Sequence, residues 1–203
     1  MHIRELTVRG AFEVTPTQHS DERGVFLEWY RFDRLEEAVG HSLDLRQANT
    51  SVSRRGVVRG IHFADVPPGQ AKYVTVTHGS VLDFVVDLRV GSPTFGTWDS
   101  VLLDAVDRRA VYIPEGLGHA FVALSDEATA TYLVSDTYNP GVERSLHARD
   151  GDVGLVFPDD IGELEFSPKD ADAPSLAELI EQSLLPKWSA AQAHYELLNK
   201  GGS

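Results

Sequence analysis

Apolar and polar positions alternate in short runs through the middle of the chain, the pattern of strands that bury one face. Leu45, Gln47, Asn49 and Ser51 alternate with Arg46, Ala48, Thr50 and Val52. β-Branched and aromatic residues dominate residues 57–63, 73–77, 81–88, 98–103, 110–113, 120–124 and 129–134, and each of these runs is predicted to be a strand. In the run 81–88 two acids, Asp83 and Asp87, interrupt an otherwise apolar segment. Turn-forming residues separate the runs: His78-Gly79-Ser80, Gly91-Ser92-Pro93, Pro114-Glu115-Gly116, Ser125-Asp126-Glu127 and Asn139-Pro140-Gly141. Many short strands with little helical period between Gly40 and Pro158 predict an all-β antiparallel sandwich or barrel, and argue against a parallel βαβ sheet.

Helical patterns fall at the edges. Residues 32–39 form a short helix that Gly40 stops in the left-handed position. Ser175-Leu176-Ala177-Glu178 fits a capping box before an apolar-spaced segment reaching Leu184. A last helix over 189–198 puts Trp188, Ala191, Tyr195 and Leu198 on one stripe, and Asn199, Lys200, Gly201 and Gly202 end it. With no repeat and no long linker, residues 1–203 are expected to form a single domain, with 174–203 a helical C-terminal appendage.

Composition narrows the function. With 42% hydrophobic and 24% charged residues in 203, a packed core is expected. The absence of cysteine removes disulfides, thiolate metal sites and thiol catalysis. Eighteen Lys and Arg against 31 Asp and Glu leave a net charge of −13, a surface that repels nucleic-acid phosphates but leaves room for one small anion held locally. No apolar run approaches the roughly 20 residues that span a bilayer, and the N-terminus lacks a signal-peptide stretch, so no membrane partner and a cytoplasmic location are expected.

Several residues have both a structural and a chemical reading. His62 lies inside the run 57–63. It is either a hydrogen-bonded core histidine or a general base, because imidazole titrates near neutral pH. Strand alternation puts His62 and Gly60 on one side and Arg59 and Ile61 on the other, unless a bulge at Gly60 re-aims them. No histidines stand at i, i+2 or i, i+4, including around His119, which disfavours a metal site. Tyr132 and Tyr138 are packing aromatics, or a proton donor and a stacking ring. Asp170 is a solvated loop acid or the carboxylate that orients His62. Arg23, Arg59 and Lys72 are surface charges or anion ligands. Lys72, directly after Gly69-Gln70-Ala71, is placed to reach over a barrel mouth.

Together these segments resemble the dTDP-4-dehydrorhamnose 3,5-epimerase family. The resemblance is carried by Asp21-Glu22-Arg23-Gly24-Val25-Phe26-Leu27-Glu28, Gln47-Ala48-Asn49-Thr50-Ser51-Val52-Ser53, Gly56-Val57-Val58-Arg59-Gly60-Ile61-His62 and Gln70-Ala71-Lys72-Tyr73-Val74. It continues through residues 87–98, Ile113-Pro114-Glu115-Gly116-Leu117-Gly118-His119 and Tyr132 to Tyr138, and ends at Ser167-Pro168-Lys169-Asp170. It implies a jelly-roll (cupin-type) barrel, a homodimer with exchanged N-terminal strands, and no metal or organic cofactor. It also implies a dTDP-4-keto-6-deoxyhexose as substrate. By the same resemblance His62 is the base, Tyr132 the acid and Asp170 the partner of His62. Lys72 is the donor beside the ketone, and Arg23, Phe26, Glu28, Gln47, Asn49, Arg59, Lys72, His119, Glu143 and Lys169 hold substrate while Tyr138 stacks on it. Ala120 and Phe157 replace the Gly and Trp of many members. The expected reaction is inversion at C3 and C5, with single epimerisation as the alternative. A non-catalytic sugar-nucleotide-binding barrel and a metal-dependent cupin are the rivals from other classes.

Overall fold

The predicted strands all form. The computed structural model describes residues 1–201. Its strands are β1 (His2–Glu5), β2 (Phe12–Thr15), β3 (Gln18–Asp21), β4 (Gly24–Leu27), β5 (Gln47–Ser53), β6 (Val58–Ala64), β7 (Lys72–His78), β8 (Ser80–Asp87), β9 (Trp98–Asp104), β10 (Ala110–Ile113), β11 (Leu117–Ala123), β12 (Ala128–Val134) and β13 (Glu143–Ser145). Helix α1 (Phe32–Val39) precedes β5, and α2 (Pro168–Ala171), α3 (Leu176–Glu181) and α4 (Trp188–Gly201) follow β13. One sheet has the order β1-β2-β10-β7-β12-β5 and the other β13-β6-β11-β8-β9. All these pairings are antiparallel, and neighbours distant in sequence show the chain crossing repeatedly between sheets, the jelly-roll arrangement.

Alternation along the strands sorts side chains into three apolar layers. Val74, Val76, Val81, Val85, Val111, Ile113 and Phe121 fill the space between the sheets. The outer face of the five-stranded sheet packs Ile61, Phe63, Phe84 and Val86 under Leu176, Leu179 and Leu185 of the C-terminal segment. The outer face of the other sheet packs Tyr73, Tyr112 and Leu133 with Leu35 of α1. Phe84 meets Trp98 and Phe157 edge-on, with centroids 5.8 and 5.3 Å away. Phe157 thus packs against the core as a partly buried aromatic.

Helix ends follow the local chemistry, with two differences from expectation. Gly40 caps α1 at φ 95°, as its place after Val39 predicts. The capping box at Ser175 and Glu178 forms. Yet α3 stops at Glu181 rather than reaching Leu184. Ser183 turns left-handed (φ 54°), its N–H bonds Ile180 O, and the Leu184 N–H bonds Leu179 O, a Schellman stop built without glycine. Helix α4 runs past the expected stop to Gly201, and Gly202 of that expected stop lies outside the described residues. No described helix is long and apolar enough to cross a membrane.

One local departure shapes the site. His62 pairs with His119, but Arg59 pairs with Phe121, so three steps on β6 oppose two on β11. This is a bulge at Gly60 and Ile61. A side chain at Gly60 would meet the His119 carbonyl at 2.4 Å, and its φ of +108° favours glycine. The expected opposition of Arg59 and His62 is therefore corrected: the extra residue flips the parity, and both line the same cleft.

Candidate active site

A cleft of about 650 Å³ opens between the sheets, where β6 and β13 on one side face β5 and β12 on the other. His62 lies on one wall and Tyr132 on the opposite wall. Arg59, Tyr138, Glu143, Lys169 and Asp170 also line it. The bulge at Gly60 brings Arg59 in, where its Nε–H donates to Ser53 Oγ at 3.0 Å and an Nη–H to the Val52 carbonyl at 3.3 Å. Its guanidinium is held in position before any ligand arrives.

The His62–Asp170 pair is built from two local signals. Ser167 caps α2 by accepting the Asp170 N–H at 3.1 Å, and Pro168 occupies the first helical turn. That fixes Asp170 in the turn facing β6, where its carboxylate accepts Nε2–H of His62 at 2.7 Å. Asp170 is buried while His62 keeps about a third of its side chain accessible. Burial pushes the Asp170 carboxyl up, but the His62 ring, Ser167 and the Gly60 N–H outweigh it and hold it below the usual carboxylate range. Burial pushes the His62 imidazole below its ordinary 6.5. Asp170 opposes that shift, while the ammonium groups of Lys72 and Lys169 add to it. With Nε2–H committed to Asp170, Nδ1 is left with its lone pair.

The facing wall supplies the complementary group. Tyr132 pairs with Asn49 and Val74 across its two neighbouring strands. Burial raises its phenol above the ordinary 10.0; Arg59 opposes that and Glu143 adds to it, so the hydroxyl keeps its proton at neutral pH. Lys72 lies at the start of β7, against a narrow cavity it shares with His62 and Glu143. Burial lowers its ammonium below 10.5, opposed by the charges of Glu143 and Asp83.

The remaining expected residues divide. Gln47 and Asn49 sit on the inward face of β5, where Gln47 Nε2–H donates to Asn49 Oδ1 at 2.7 Å and Gln47 Oε1 accepts the Tyr138 N–H at 3.2 Å. His119 is buried and donates Nε2–H to Asp83 at 2.7 Å. Arg23, Phe26 and Glu28 are not brought to this cleft. Arg23 and Phe26 stand on the β3–β4 hairpin, which joins neither large sheet, and Phe26 is 68% exposed. Arg23 pairs with Asp21. Glu28 lines a separate hollow near Met1 and pairs with Arg31. Among residues outside the expected set, Ser53, Arg54 and Ser167 line the cleft, and Asp83 buttresses His119. Asp83 had a signal, as one of the two acids that interrupt an apolar strand.

An imidazole and a protonated phenol on opposed walls, with cations beside them, suit an enzyme that moves protons at carbon: an isomerase on a jelly-roll barrel. The family model described as dTDP-4-dehydrorhamnose 3,5-epimerase matches residues 5–178, and the chain belongs to that family. The chain is 55% identical over 193 residues to a dTDP-4-dehydrorhamnose 3-epimerase of Streptomyces niveus, covering 95% of this chain and 92% of that one. It is 54% identical over 200 residues to a dTDP-4-dehydrorhamnose 3,5-epimerase of Mycolicibacterium smegmatis, covering 98% of each. An epimerase structure from Mycobacterium tuberculosis superposes with a TM-score of 0.96 at 50% identity, covering 98% of this chain and 100% of that one.

Proposed function

We propose that the protein inverts C3 and C5 of dTDP-4-keto-6-deoxy-D-glucose to give dTDP-4-keto-L-rhamnose, with His62 as base and Tyr132 as acid. The observation that supports these roles is a carboxylate-bound imidazole and a protonated phenol lining one cleft from opposite sheets. The C4 ketone acidifies the hydrogens on C3 and C5. His62 Nδ1 takes one of them, and the electron pair moves into an enolate whose O4 charge is met by Lys72. A preorganised donor of that kind is worth about 3 kcal/mol. Tyr132 then delivers its proton to the opposite face of the same carbon. Solvent reprotonates the phenolate and receives the proton from His62, so the inverted carbon carries a solvent hydrogen. Arg59 and Lys169 suit the diphosphate, and Tyr138, exposed on the rim, suits stacking on the base.

The hairpin residues fit the same reading through a second copy of the chain. In a homodimer that exchanges N-terminal segments, Arg23, Phe26 and Glu28 would complete the partner's cleft. An inactive His62→Ala chain mixed with an inactive Arg23→Ala chain would then regain activity by forming one intact site, and no regain would remove the exchange.

The 55% identity to a 3-epimerase favours a second reading, inversion at C3 alone. Incubation with dTDP-4-keto-6-deoxyglucose in heavy water, followed by proton NMR, separates the readings. Deuterium at C3 and C5 is the expected result; deuterium at C3 alone selects the single epimerase. Deuterium at neither carbon rejects both.

A further inference from the structure

Asp83 is a carboxylic acid in the interior of β8, with Val81 and Val85 beside it on the same face, and it has no exposed surface. Burying such a group is costly unless it is fully partnered. Its partnering is incomplete: Oδ2 accepts Nε2–H of His119 at 2.7 Å, while Oδ1 has no hydrogen-bond partner. His119 sits directly across from His62 on the neighbouring strand. Lys72 reaches in from the opposite sheet, and Asp83 and Glu143 are the acids whose charges act on its ammonium.

A merely structural acid at this place has no evident benefit. Serine or threonine would accept the same imidazole hydrogen bond with less desolvation. A carboxylate does what a hydroxyl cannot: it fixes which ring nitrogen carries the hydrogen, because an ionised carboxylate only accepts.

We propose that Asp83 is a positioning residue of the epimerase site: it holds His119 as the Nε2–H tautomer, presenting Nδ1 to a substrate hydroxyl. This rests on the reading that His119 meets the substrate. It adds a second carboxylate–imidazole pair on the same sheet as His62–Asp170, one serving proton removal and the other the fit of the sugar. Asparagine at position 83 keeps the shape but can turn its NH₂ toward the ring and select the opposite tautomer, the loss of control that such replacements produce.

The test pairs ¹⁵N NMR of the His119 ring with kinetics of the Asp83→Asn protein. The wild-type ring is expected to be protonated at Nε2, and the variant to shift toward Nδ1–H. Proton exchange into the sugar is expected to fall about 10²- to 10³-fold in kcat, with dTDP affinity within about twofold of wild type. A wild-type ring protonated at Nδ1 overturns the proposal, as does a variant with kcat within about threefold of wild type. If the variant does not fold, the wild-type ring spectrum decides by itself. Should wild type exchange neither C3 nor C5, the epimerase reading fails, and the ring nitrogen still judges the Asp83–His119 link.

Discussion

Asp83 and Asp87 stand on one face of β8, four residues and about 13 Å apart, and neither exposes any surface. Their surroundings are opposite. Asp87 accepts from the Arg89 backbone and guanidinium through Oδ1 at 3.0 and 2.8 Å, and Oδ2 accepts from Arg89, Ser92 and Thr94 at 2.8, 2.6 and 2.6 Å. Arg89 directs two further hydrogens to Tyr195 and the Arg9 carbonyl, and its guanidinium lies over the Trp188 ring at 4.6 Å. Burial pushes Asp87 up, but these partners hold it below the usual carboxylate range. Asp83 has one imidazole and an idle oxygen. At the Asp87 end both carboxylate oxygens are multiply partnered, and the result is a clasp for α4. At the Asp83 end one carboxylate oxygen is left without a partner. On one strand, closure marks a structural clasp, and incompleteness is the ground for the positioning role proposed for Asp83.

Mutations can break that contrast. His62→Ala removes the proposed base; exchange at C3 and C5 should fall about 10²- to 10⁴-fold. Arg89→Met strands the buried Asp87; denaturant unfolding should show a loss of about 3–5 kcal/mol, with kcat of the folded protein little changed. A large kcat effect with little stability loss would invert the comparison.

Asp170→Asn sharpens the functional side. The charge on Asp170 raises the His62 pKa against burial, so its removal lets that pKa fall further below 6.5. The acid limb of the pH–rate profile should therefore move to lower pH. The plateau should drop about 10- to 100-fold, because a weaker base is left with an unfixed ring. On the alkaline side the limb should lie below 10.5 and follow Lys72, whose ammonium burial depresses, since Tyr132 is shifted the other way. The smallest effect is expected from Arg59→Ala. It should raise KM about tenfold by losing a charge-assisted contact, leave kcat close to wild type, and show a weaker salt dependence of binding.

The sequence made α1 and β10 legible to the residue, because Gly40 and Pro114 punctuate them. It hid β1, β2, β3, β4 and β13. These are short, and β3 and β4 bury no face on either large sheet, so no period-two signal marks them. The candidate site residues were legible through the family resemblance, which their chemistry suits. That Arg59 and His62 share one wall was not. Alternation separates Arg59 from His62, and only the bulge at Gly60, where the His119 carbonyl and Ala120 leave no room for a side chain, unites them. Asp83 and His119 meet across 36 positions of sequence by strand register, which no local pattern encodes.

The facial course of proton return in Tyr132→Phe tests the two-walled site most directly. With the base intact and the acid gone, His62 should still remove the proton and return deuterium from heavy water to the face it came from. NMR should then show labelled sugar of unchanged configuration and almost no inverted product. Inverted product forming at near wild-type rates would show that the proton on the far face comes from another group, and the paired roles of His62 and Tyr132 would fall.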